Sequence, residues 1–105
     1  MLYQLGSFEL DSKAGVATMD GVAVPLGSRA AAVLTALVSR PNHHVSKAEL
    51  IDAAWPNRVV ELANLAVQIS AIRRTLDRVP GGEGWIETLA RRGYRFVGLQ
   101  VEVDA

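Results

Sequence analysis

Nine of the eleven basic side chains in this 105-residue chain are arginine, and seven of those nine lie between residues 58 and 98. A guanidinium is a planar fork of donors matched to phosphate and carboxylate oxygens, so the chemistry these residues offer is anion recognition. Other candidate chemistry is sparse. His43-His44 is an adjacent pair with no third ligand nearby and no HxxxH spacing, so both read as exposed loop residues and no metal site is expected. Gly81-Gly82-Glu83-Gly84 lacks the following helix and the Lys-Ser/Thr pair of a phosphate cradle. No Ser/His/Asp arrangement and no coupled carboxylates can be assembled, so no catalytic site, cofactor or small-molecule substrate is expected.

Composition narrows the setting. The chain is 50% hydrophobic and 21% charged, enough apolar content for one core and too little charge for a self-repelling disordered polymer. Without cysteine there is no disulfide framework and no thiolate metal site. No apolar run reaches the roughly 18 residues of a membrane span. The opening Met1-Leu2-Tyr3-Gln4-Leu5-Gly6 lacks the basic and apolar regions of a secretory signal. A cytoplasmic domain without membrane contact is expected. Zero net charge argues against an indiscriminate polyanion binder, but the charge is uneven: −1 over residues 1–57 and +3 over residues 58–98.

The elements that must position the arginines follow from periodicity and breakers. Residues 1–26 read as three or four short antiparallel strands, with turn chemistry at 11–15 and Asp20-Gly21 suited to a two-residue hairpin turn. Leu26-Gly27-Ser28 then switches the period. Ser28 is the expected N-cap of a first helix bearing Ala30, Val33, Leu34, Leu37 and Val38, ending near Arg40 because Pro41 follows. Val45 is expected to pair briefly as a strand. Ser46-Lys47-Ala48-Glu49 spells a capping box for a second helix that buries Leu50, Ile51 and Ala54 and closes at Trp55-Pro56. A third helix spans residues 61–78, a Gly-rich loop follows, and Trp85–Leu89 with Tyr94–Gly98 form a terminal hairpin. The fold class is therefore α+β, in one domain: a sheet over 1–26, a three-helix unit over 28–78 and a hairpin over 85–98. Trp55 and Trp85 read as core or core-edge aromatics, with the Trp55 indole N–H also suited to a phosphate.

On a wheel, Leu62, Leu65, Ile69, Ile72 and Leu76 form the core-facing stripe of the third helix. The opposite face carries Ala63, Asn64, Val67, Ser70, Ala71, Arg74 and Arg78, with Gln68 on its flank and Arg73 near the edge of the stripe. A solvated face ordinarily carries Lys and Glu; small neutral residues suit close approach to another surface. One such surface is the DNA major groove, which admits a helix and offers thymine methyls and base-edge acceptors, with Arg74 and Arg78 on flanking phosphates. The other is a further part of the parent protein. The hairpin turn holds Arg91, Arg92 and Gly93, with Arg95 on the departing strand opposite the Tyr94/Phe96 face. Arginines at that tip suit a minor groove, and equally a solvated, aggregation-resistant hairpin.

Taken together, Gly6–Asp11, Val24–Ala30, Val45–Leu50, Trp55-Pro56, Val59-Val60-Glu61, Asn64-Leu65, Val67-Gln68-Ile69, Ile72–Leu76 and Arg92–Val97 resemble the winged helix-turn-helix effector domain of OmpR/PhoB-type bacterial transcription regulators. The likeness covers about residues 3–98 and is nearest to the subgroup that carries this domain at the N-terminus. It implies a major-groove helix at 61–78 and a minor-groove wing at 90–95, contacting double-stranded DNA in sequence-specific fashion. The implied DNA contacts are Asn64, Val67, Gln68, Ser70, Ala71, Arg73, Arg74, Arg92 and Arg95, with Trp55 near the backbone. It also implies that Asn57, Arg58, Val59 and Val60 form a loop toward RNA polymerase. Ala66, Ser70 and Ala71 stand where relatives are often basic, so weaker monomer binding is expected, with specificity relying on dimerisation, as a homodimer on tandem half-sites, or on the remainder of the protein. The alternative function is a winged-helix module for protein–protein contact, with a regulatory domain or polymerase. The domain is expected to be excised from a longer regulator, with Leu99–Val103 leading on.

Overall fold

The computed structural model describes residues 1–98 and the backbone of 101–103. Strands β1 (Leu2–Leu5), β2 (Phe8–Asp11), β3 (Val16–Met19) and β4 (Val22–Val24) form an antiparallel meander. The turn between β3 and β4 has Asp20 at φ 51° and Gly21 at φ 80°, closing on the Met19–Val22 pair. That double left-handed step matches the right-handed twist of the flanking strands, as Asp-Gly foretells. Val101–Val103 runs antiparallel to β1 as an edge strand, β8, with Gln4 opposite Val101, so the sheet has five strands in the order β4-β3-β2-β1-β8. Leu99 and Gln100 lie outside the described residues.

Helix α1 (Ser28–Val38) is the hub. It packs against the second and third helices, β3 and the C-terminal hairpin, so Ala30, Ala31, Val33, Leu34, Leu37 and Val38 are all buried. Its N-cap is Gly27, not Ser28: Gly27 sits at φ 82°, which glycine adopts without strain, and Ser28 is already the first helical residue with no capping hydrogen bond. Helix α2 (Lys47–Ala54) begins with the reciprocal capping box, in which Glu49 N–H donates to Ser46 Oγ (3.1 Å) and Ser46 N–H to Glu49 Oε1 (3.3 Å). Ile51 is only partly buried, while Leu50 and Ala54 are fully inside.

Helix α3 (Leu62–Leu76) buries Leu65, Ile69, Ile72 and Leu76. Leu62, expected in that stripe, is 57% exposed, because the first turn of α3 projects past the core it would have to meet. Strands β6 (Ile86–Leu89) and β7 (Gly93–Phe96) form the hairpin, and the two-residue β5 (Val45–Ser46) adds to β7. Gly93 is indispensable there. It sits at φ +144°, and a Cβ would come 2.1 Å from the Val45 carbonyl oxygen. One continuous core joins Phe8 and Leu10 of the sheet, Leu34 and Leu37 of α1, the α3 stripe and Phe96 of the hairpin.

Candidate nucleic-acid interface

Among the described residues, none packs over the outer side of α3. Ala63, Asn64, Ala66, Val67, Ser70 and Arg74 are exposed, Val67 to 61%, while Gln68 and Ala71 at the margins are half-buried. Residues three and four apart on a helix are surface neighbours, so Ala63, Asn64, Ser70 and Ala71 ring Val67. The result is a smooth, uncharged patch with a single guanidinium, Arg74, at its C-terminal end.

Arg73 behaves differently from Arg74. Its Nη2 donates to the Ile86 carbonyl (2.9 Å) and to Thr88 Oγ1 (2.8 Å), and its guanidinium lies 5.9 Å over the Tyr94 ring. Charge-assisted hydrogen bonds of this kind are about twice as strong as neutral ones. Arg73 therefore straps the hairpin to α3 and fixes the angle between them. His44 makes a second tie: its Nε2–H donates to the Arg92 carbonyl at 2.8 Å, linking the loop before β5 to the hairpin turn.

The hairpin turn closes with Arg92 N–H donating to Leu89 C=O, with Arg91 left-handed at φ 63°. Arg91 and Arg92 are both exposed, and no acidic partner meets either among the described residues. Arg95, on the strand leaving the turn, has an acidic partner. It sits directly opposite Glu87, and its Nε and Nη2 both donate to Glu87 Oε1, at 2.9 and 2.6 Å. Arg78 lies beyond the end of α3 and lines a shallow depression with Met19, Asp20, Val22 and Pro25, on the side of the N-terminal sheet.

Trp55 is buried, with the Arg29 guanidinium 5.6 Å over its ring and Arg29 Nη1 donating to the Ala54 carbonyl. The following loop turns sharply at Asn57 (φ 61°) and carries exposed Asn57, Arg58 and Val59, with Val59 fully solvated and Val60 tucked against the core. Glu49 is held below the usual carboxylate range, first by Arg40 Nη2 donating at 2.5 Å and then by the Ser46 hydrogen bonds. Among the described residues no group of three or more His, Asp or Glu side chains is placed to hold a metal, and no helix is long and apolar enough to cross a membrane.

Sequence reasoning did not find the restraining roles of His44, Glu87, Thr88 and Arg29. Glu87 had a signal: a hairpin closed by the loop Ala90-Arg91-Arg92 sets it across from Arg95. The others depend on tertiary placement.

Comparison with known proteins places this geometry. The family model described as "Transcriptional regulatory protein, C terminal" matches residues 21–96. The cholera toxin transcriptional activator of Vibrio cholerae is 29% identical over 83 residues, a match covering 77% of this chain and 28% of that protein. The chain thus spans under a third of that relative's length. Among solved structures, the DNA-binding domain of E. coli CadC superposes with a TM-score of 0.80 at 22% identity, over 95% of this chain and 94% of that one. The DNA-binding domain of E. coli CpxR gives 0.80 at 24% identity, over 93% and 97%. That of Klebsiella pneumoniae RstA, solved in complex with the RstA box, gives 0.70 at 19% identity, over 91% and 96%. At these identities the structures establish the shared fold.

Proposed function

Since the chain belongs to the family of transcriptional regulatory protein C-terminal domains, the OmpR/PhoB-type DNA-binding domains rather than any enzyme family, we propose that α3 enters the major groove and the Arg91–Arg92 turn reaches the adjacent minor groove. The observation that carries this reading is the open, neutral side of α3 with an arginine-tipped hairpin strapped beside it by Arg73. Asn64, Val67, Gln68, Ser70 and Ala71 face base edges. Arg74 and Arg92 meet phosphate or groove floor, Arg73 positions the wing, and Arg95 is held in reserve by Glu87. Trp55, buried under Arg29, shapes the floor near the backbone. Arg78, turned toward the sheet, contributes least.

The loop Asn57, Arg58, Val59 and Val60 serves as a contact for RNA polymerase. Its support is the full exposure of Val59 and the 57% exposure of neighbouring Leu62, apolar groups that gain by being covered. The domain acts in the cytoplasm as one part of a longer regulator, and pairs as a homodimer on tandem half-sites. The test is a mobility-shift titration of wild type and Val67→Glu. Wild type forms a salt-sensitive complex. The variant forms none, yet keeps its stability to within about 0.5 kcal/mol because the position is solvent-facing. No complex at low salt would refute the reading, and unfolding of the variant would refute the assignment of the face.

A further inference from the structure

We infer that the DNA this domain selects is A·T-rich at both of its contact surfaces, an inference that rests on the DNA-binding reading above. Guanine is read most often by Arg or Lys, bidentate to O6 and N7 in the major groove. The open face of α3 offers neither over its first three turns, where the exposed side chains are Leu62, Ala63, Asn64, Ala66, Val67 and Ser70. The first arginine on the helix, Arg73, is occupied by the Ile86 carbonyl and Thr88. Arg74 stands only in the last turn. What remains reads the other base pair. Val67, 61% exposed and ringed by small neighbours, presents methyl groups to a thymine methyl, and the amides of Asn64 and Gln68 fit adenine N6 and N7.

The hairpin points the same way on independent grounds. Arg91 and Arg92 are exposed and meet no carboxylate among the described residues. Arginine inserted into a minor groove is attracted most where that groove is narrow, as in A-tracts, whose negative potential is enhanced. Both surfaces therefore discriminate against G·C, one through base edges and one through groove shape.

The experiment is a selection of bound duplexes from a random pool by the full chain, followed by titration of the recovered site with thymines replaced by deoxyuridine. Predominantly A·T cores are expected. Removing a covered 5-methyl should weaken wild type about fourfold, as for loss of one buried methyl-sized group. Val67→Ala, which keeps the helix, should bind thymine and uracil sites nearly alike. Recovery of G·C cores, or a wild type indifferent to the methyl, overturns the inference while leaving DNA binding intact. Failure to recover any duplex at low salt overturns the DNA-binding reading and this inference with it.

Discussion

Glu87→Gln should make the protein bind DNA more tightly. In the native hairpin both Arg95 donors converge on one oxygen of Glu87, at 2.9 and 2.6 Å, and the two side chains are 38% and 43% exposed. A pair that exposed is worth only about 0–1 kcal/mol after solvent screening, so replacing the carboxylate by an amide leaves the hairpin folded. What it removes is neutralisation: Arg95 changes from half of a neutral pair to a free cation on the wing. Each phosphate newly neutralised adds about 0.9 to the magnitude of the slope of log K against log salt, which at 0.1 M salt is about an eightfold gain in affinity. Fluorescence anisotropy on a short duplex across 50 to 200 mM salt (a range of about fourfold over which slopes of this size are resolved) gives the slope directly. Two controls fix the interpretation. Arg92→Ala should shallow the wild-type slope by about 0.9, and Arg95→Ala should scarcely change it. If Arg95→Ala costs as much slope as Arg92→Ala, Arg95 leaves Glu87 for the DNA unaided, and the reasoning fails.

Two further perturbations separate positioning from contact and locate a pH dependence. Arg73→Lys keeps the charge but loses the fork that bridges Ile86 O and Thr88 Oγ1, as well as the stacking on Tyr94; a loss of about 1–2 kcal/mol in urea unfolding is expected, along with weaker binding at an unchanged salt slope. A slope that falls by a full contact in Arg73→Ala would show Arg73 on a phosphate instead. For Glu49 the folded-state pKa is lowered from 4.5, chiefly by Arg40, so ionised Glu49 favours the folded state above that value and the benefit disappears as pH falls through the depressed one. Glu49→Gln should accordingly melt below wild type at pH 7, with the two curves converging in acid; a gap that widens in acid would invert the argument.

What could be read in advance was whatever a few adjacent residues decide alone. The Asp20-Gly21 turn needs two left-handed residues, and the Ser46–Glu49 box closes within one helical turn, so both follow from local chemistry. The buried stripe of α3 was legible for the same reason, except at Leu62, whose exposure depends on where the core ends and not on the helix period. Gly27 displaced Ser28 as N-cap because the entry into α1 takes φ 82°, a property of the path from the sheet that Ser28 itself does not signal. The pairing of Val101–Val103 with β1 and the His44 bond to Arg92, 48 residues away, join segments with no sequence relation to one another. So the surfaces were predictable and the restraints between them were not. The exposed side of α3 follows from its buried side by subtraction, whereas the direction in which the hairpin leans depends on distant partners: Arg73, His44, the β5–β7 pairing and the seating of Phe96 in the core.

Those restraints also limit how many arginines are open for anion contact. Arg29, Arg40, Arg73 and Arg95 are spent on Ala54 and Trp55, Glu49, the β6 strand and Glu87 respectively, which leaves Arg74, Arg91 and Arg92 as open cations at the proposed interface. Three phosphate contacts imply a salt slope near −2.7, so one domain should lose about 40-fold in affinity between 50 and 200 mM salt, against about 10³–10⁵ for proteins making six to ten contacts. On the proposed reading, electrostatics this slight give a lone domain a weak hold at physiological salt. Two copies on adjacent half-sites double the slope to about −5.4 and bring the pair close to the ordinary range. On the proposed reading, binding energy shifts from charge toward the fit of Val67 and its neighbours against base edges, and a weak non-specific term leaves each base contact a larger share of the total.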